Sequence, residues 1–160
     1  MTEALVALLA ATLYLAASAS LVRALRADPE SNRLPLWLVL PAIGLHFAAH
    51  AWGWSRLHGP DLHFFAALSL VALGMSALGT LAATTQRMAA LGVIVYPLAA
   101  LLVLLYQFAG HGRAQALDWR LQLHAWLALL AYAALALSSL IALLSWAQDR
   151  ALRTRQLHDW

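Results

Sequence analysis

A polytopic all-α membrane bundle is what this sequence predicts, from its composition, the length of its apolar runs, and the places where charges and chain breakers fall. Hydrophobic residues make up 63% of the 160 residues and charged ones 11%, whereas soluble domains sit near a half and a quarter. The apolar runs are about 20 residues long, enough for a helix to cross the hydrocarbon core and far too long for barrel strands. Lipid offers backbone groups no hydrogen bonds, so such runs cross as helices. Most charges gather between the runs, beside the breakers Asp28-Pro29, Gly59-Pro60 and Gly110-His111-Gly112.

Five spans follow in one transmembrane domain covering 1–160. In the first, Ala4–Val22, the Ala17-Ser18-Ala19 stretch imitates a signal cleavage site. The start Met1-Thr2-Glu3 lacks a basic n-region, however, and Arg23 and Arg26 follow the run, so the segment reads as a retained helix with its N-terminus outside. The second span, Leu34–Trp54, starts beside Pro35, where a helix tolerates proline. The third, Phe64–Thr84, offers Gly74, Ser76, Gly79 and Thr80 as a small-residue packing face. The fourth is Met88–Phe108 and the fifth Leu121–Trp146, with kinks expected at Pro41 and Pro97.

Five crossings put the C-terminus inside. The inner segments then hold Arg23, Arg26, Arg33, Arg87, Arg150, Arg153 and Arg155, and the outer ones Arg56, Arg113 and Arg120. That asymmetry agrees with the positive-inside rule, and Trp52, Trp54 and Trp119 fall in the outer belt with Trp146 in the inner one. The net charge of +3 comes from arginine alone, because lysine is absent. In a membrane protein that excess bears on orientation and not on nucleic acid binding.

With no cysteine, thiolate sites and disulfides are excluded, and histidine becomes the main soft ligand. Six of the seven histidines fall toward the outer face, and only His158 lies inside. His46 and His50 are one turn apart on the second span and share a helix face. His58, His63 and His111 lie in or beside outer loops, and His124 is about one turn inside the fifth span. Ionisable groups within a span normally face a partner, a cavity or a ligand. Hydrogen bonding to a neighbouring helix, axial haem ligation from facing helices, and zinc binding are the uses open to them. Asp61 and Asp118 are the only outer acids near this belt besides Glu3, which disfavours a carboxylate-rich metal site.

Other chemistries find little footing. Neither a nucleophile elbow nor a phosphate-cradling glycine loop is present, so no enzyme is expected. Spans one, three and four carry no charged residue, so a proton relay through them has no visible stepping stones. Tyr132 lies two turns below His124 with Ala128 and Ala131 between, leaving room for a flat ligand or for another helix.

The stretch Leu123-His124-Ala125-Trp126-Leu127-Ala128-Leu129-Leu130-Ala131-Tyr132-Ala133 resembles a segment of the cytochrome c assembly protein family, the haem-handling membrane proteins of the CcsA and CcmC type. The likeness is closest to its HemX-like and YpjD-like inner-membrane branch. Val95-Tyr96-Pro97 in the preceding span, His46 in the second, and the arginine-containing end of the fifth helix agree with that branch.

The resemblance implies a non-enzymatic, multi-pass protein of the bacterial inner membrane that binds or presents haem b near the outer face. His46 and His124 are then the expected iron ligands, with His50 and Tyr132 beside the cofactor. Partners would be the lipid bilayer, haem and other cytochrome c maturation proteins. The tryptophan-rich haem loop of the family is absent, with only Trp52-Gly53-Trp54 near its place. Relatives continue through about three more helices, so the chain reads as an N-terminal part or a shortened member. The competing expectation is a cofactor-free regulatory or interaction subunit of a membrane complex.

Overall fold

The structure, a computed structural model, describes residues 2–27, 35–85, 91–109, 112 and 118–156. Among these the chain forms five α-helices and no strand: α1 (Thr2–Ala27), α2 (Leu36–Leu57), α3 (Phe64–Thr85), α4 (Gly92–Phe108) and α5 (Trp119–Gln156). All but α4 are long and apolar enough to cross a membrane. At 17 residues α4 is shorter than its sequence-predicted span, whose start at Met88 lies outside the described residues. Pro41 and Pro97 sit inside α2 and α4, and both helices continue through them.

Helices α1 to α4 form a bundle, with α1 packed on α2 and α4, and α3 on α4 and α2. Helix α5 rests chiefly on α3. The chain runs up and down, so the start of α1, the end of α2, the start of α3 and the end of α4 share one end, here called the loop end. An ion pair between Arg56 and Glu3 at 2.9 Å ties α2 to α1 there. His58 closes α2 in the left-handed conformation, φ 56° and ψ 30°, an arrangement that usually falls to glycine. The Gly59 amide donates back to the Trp54 carbonyl at 3.1 Å.

Burial is arranged as lipid requires. The core contains many small residues, such as Ala7, Ala11, Ala42 and Ala99, together with Tyr14, Tyr96 and two histidines. Large side chains such as Trp37, Phe47, Leu101 and Leu135 lie on the outside. Lipid tails are as apolar as leucine, so helices gain by close approach and internal hydrogen bonds and not by hiding leucines. The four small residues of the third span divide their work accordingly. A Cβ on Gly74 would stand 2.8 Å from that of Ala133, and one on Gly79 would meet Leu137, so these two glycines seat α5. Ser76 and Thr80 are buried in the interior of the bundle instead.

Helix α5 is about 57 Å long at 1.5 Å per residue, well beyond the roughly 30 Å hydrocarbon core. Arg120 stacks on Trp119 at 5.5 Å and Arg150 on Trp146 at 5.6 Å. Amphipathic pairs of this kind favour membrane–water interfaces. The turns beyond Trp146 are polar and carry an Arg153–Asp149 ion pair at 2.9 Å.

Candidate functional site: a polar column inside the bundle

His46 and His50 point into the centre of the bundle, and both are fully buried. Their rings stack at 5.6 Å, as residues one helical turn apart on a single face should. Between their outer nitrogens lies the hydroxyl of Ser69 on α3, 2.9 Å from His46 Nε2 and 3.0 Å from His50 Nε2. His46 Nδ1 is 3.4 Å from the hydroxyl of Tyr14 on α1. The second imidazole stacks on Tyr106 of α4, ring centres 4.2 Å apart. Four helices thus each contribute a polar side chain to one buried cluster.

The cluster extends both ways along the bundle. Away from the loop end, Tyr14 stacks on Tyr96 at 5.9 Å, and the Tyr96 hydroxyl is 3.1 Å from Thr80 Oγ1. Thr80 donates in turn to the Ser76 carbonyl at 2.6 Å. Toward the loop end, the Tyr106 ring lies 6.0 Å from that of His63. His63 Nδ1 meets Asp61 Oδ1 at 2.7 Å, and the backbone amides of His63 and Gly112 donate to the same carboxylate at 3.2 and 3.0 Å. Asp61 is fully buried. Burial pushes its carboxyl pKa up, but the His63 ring, the two amides and the charge of His63 together outweigh that and hold it below the usual carboxylate range. Gly112 is required here, because a Cβ would stand 2.9 Å from Asp61 Oδ1 and 3.1 Å from His63 Cβ.

The histidines expected to face one another therefore part company. Ala133, nine residues after His124, packs on Gly74 of α3. Nine residues at 100° each place His124 on the opposite side of α5, and it is exposed. Tyr132 is 61% exposed on the same helix. His46 is enclosed, with a neighbour at each ring nitrogen, so His46 and His124 do not converge on a common ligand in this arrangement. The groove between α2, α3 and α5, about 330 Å³, is apolar, with Phe47, Leu70, Trp126 and Leu130 among its walls. No histidine among the described residues lines it. His111 and His158 lie outside the described residues.

Sequence reasoning missed the hydroxyls. Tyr14 and Tyr106 carried no reading of their own, Tyr96 entered only through the family resemblance, and Ser76 and Thr80 only as packing residues. One signal was present: Ser69, Ser76 and Thr80 are seven and four residues apart, which puts them on one stripe of α3.

No family model, curated protein or solved structure matches the chain. Its fold and site define a multi-pass α-helical membrane protein with a hydrogen-bonded polar interior.

Proposed function

We propose that the chain serves c-type cytochrome assembly in a bacterial inner membrane, binding or presenting haem b through His124. The observation that carries this reading is the outward face of α5. His124 is exposed there at the loop end, with the small residues Ala128 and Ala131 and the exposed Tyr132 toward the membrane centre. Haem ligation needs an imidazole nitrogen open to the iron and an apolar surface for the porphyrin. His124 fits that requirement and His46 does not. The chain accordingly supplies one axial position through His124 on the outward face of α5, and the other would come from outside the chain. Arg120, four residues before His124 on the same face, would supply a guanidinium for the propionates near the membrane surface.

Addition of haem to protein purified in mild detergent tests this. A shifted Soret band that His124→Ala abolishes, and that His46→Phe leaves in place, is the expected result. The same band in His124→Ala protein, or none in the wild type, overturns it.

A cofactor-free interaction subunit is the second reading. It is favoured by the exposed leucines of α5, Leu127, Leu130 and Leu135, and by the extension of that helix beyond Trp146. It predicts a defined complex with another membrane protein whose yield His124→Ala does not change.

A further inference from the structure

The apolar groove on the flank of the bundle occupies one depth only. Helix α3 touches both α2 and α5, and the groove runs over it between them, walled by Ile43 and Phe47, Leu70 and Ala77, and Trp126 and Leu130. Counted from the loop end, Leu70 lies about 9 Å along α3 and Ile43 about 21 Å along α2. The groove therefore begins inside the loop-end leaflet and ends a little past the middle of a roughly 30 Å hydrocarbon core. Of its lining residues only Trp126 carries a polar side-chain atom, the indole N–H. That ring meets Trp54 at 5.1 Å, nearly edge-on, and its N–H makes no hydrogen bond to the protein.

We propose that this groove holds one acyl chain of a phospholipid from the loop-end leaflet, whose ester carbonyl accepts a hydrogen bond from Trp126 Nε1. An indole nitrogen can only donate, and in hydrocarbon there is no water to accept from it, so a free N–H there is costly. The ester carbonyls of the same leaflet are the nearest acceptors. Trp126 lies about 10 Å from the start of α5. Helical side chains lean toward the N-terminus of their helix, which for α5 is the loop end, so the indole is carried up toward the ester level. Lipid tails are as apolar as leucine. Selectivity for a held chain over passing ones therefore comes from close packing in the groove and from this one bond.

The dimensions favour a lipid chain over a helix. The groove offers about 330 Å³, whereas a helix 10 Å across takes up about 900 Å³ over the same 12 Å of depth. Access is from the side, because Phe47 and Leu130 are each about half exposed and Ala77 on the floor is exposed as well. That is the direction from which a chain enters from the bilayer. The inference is independent of the haem reading. Trp126 follows His124 by two residues, or about 200° around α5, so the groove and the exposed imidazole lie on different sides of that helix.

Native mass spectrometry on the full chain in mild detergent, titrated with dioleoylphosphatidylglycerol, tests this. One lipid should stay bound after the excess is diluted out. Trp126→Phe should weaken its binding about fivefold, the loss of one hydrogen bond. The diether analogue of the same lipid, which lacks the ester carbonyl, should bind the wild type about fivefold more weakly too. These two losses should not add, because they remove the same bond. Ala77→Phe fills the groove and should lower occupancy by about tenfold or more. Leu101→Phe, on an exposed face of α4, serves as control and should change nothing. No retained lipid, equal binding of the ester and diether forms, additive losses, or an adduct that survives Ala77→Phe in protein of unchanged Tm each overturn the proposal. A dimer in place of the adduct, lost in Ala77→Phe, makes a second copy the occupant and overturns it as well.

Discussion

Helices α1 to α4 and helix α5 use the same residue types to opposite ends. In the four-helix bundle His46, His50, Tyr14, Tyr96 and Tyr106 are turned inward, and many of the leucines face out. His46 and His50 are there fully buried, each within bonding distance of Ser69. On α5 the inward face makes small and aliphatic contacts at Ala133 and Leu137 and sets the Trp126 ring against Trp54, while His124 and Tyr132 look outward. A histidine inside a membrane span is therefore not one kind of signal. Where hydroxyls from neighbouring helices reach it, it becomes part of an internal network. Where they do not, it is left to meet something from outside.

The sharpest way to break this contrast is to truncate one histidine from each region. His46→Ala opens a cavity and strips partners from Ser69 and Tyr14, and should cost about 3 kcal/mol. Thermal unfolding in detergent reads this as a fall of several degrees in Tm. His124→Ala should change stability by less than about 0.5 kcal/mol. Equal losses from the two would erase the distinction drawn here.

The junction of the two regions comes next. Gly74→Leu forces a side chain into the place where Ala133 approaches, and overpacking of this kind costs about 1–3 kcal/mol. Loss of a cross-link between cysteines placed on α3 and α5, with a cross-link between α1 and α4 retained, would report the separation of α5 alone.

A smaller effect is expected at the mouth of the column. The Asp61 carboxyl is held below its ordinary range in the folded state. Its contribution is therefore full above the unfolded value near 4 and is lost as pH falls through the lower folded value. Asp61→Asn should lower stability at neutral pH by about 1 kcal/mol and flatten the loss on acidification below about pH 4. An acid limb as steep as that of the wild type would remove Asp61 from the account. Smallest of all, His58→Gly relieves the left-handed backbone that closes α2. It should raise stability by about 0.5 kcal/mol, seen as a small rise in Tm.

Much of the fold was legible because span length and breaker position are local properties. The third span agrees to within one residue, Phe64–Thr84 expected and Phe64–Thr85 observed. The fifth was expected to end at Trp146, where apolarity ends, yet α5 runs to Gln156. Helix formation there needs only backbone bonds and polar side chains, and the Arg153–Asp149 pair one turn apart adds to it. The candidate site was half legible. The spacing of His46 and His50 put them on one face, whereas nothing in the fifth span said which way His124 would turn. A helix apolar on every side carries no marker of its inner face.

What the sequence by itself determined is that the described residues form five helices and roughly where along the chain each one lies, since the cost of exposing backbone to lipid is set residue by residue along the chain. Only the tertiary structure decided the rotation of each helix about its axis, and with it which histidines are inside. Rotation is settled by pairs distant in sequence, Gly74 against Ala133 and Ser69 between His46 and His50. Close approach and satisfied hydrogen bonds are gained there only when both partners are in place.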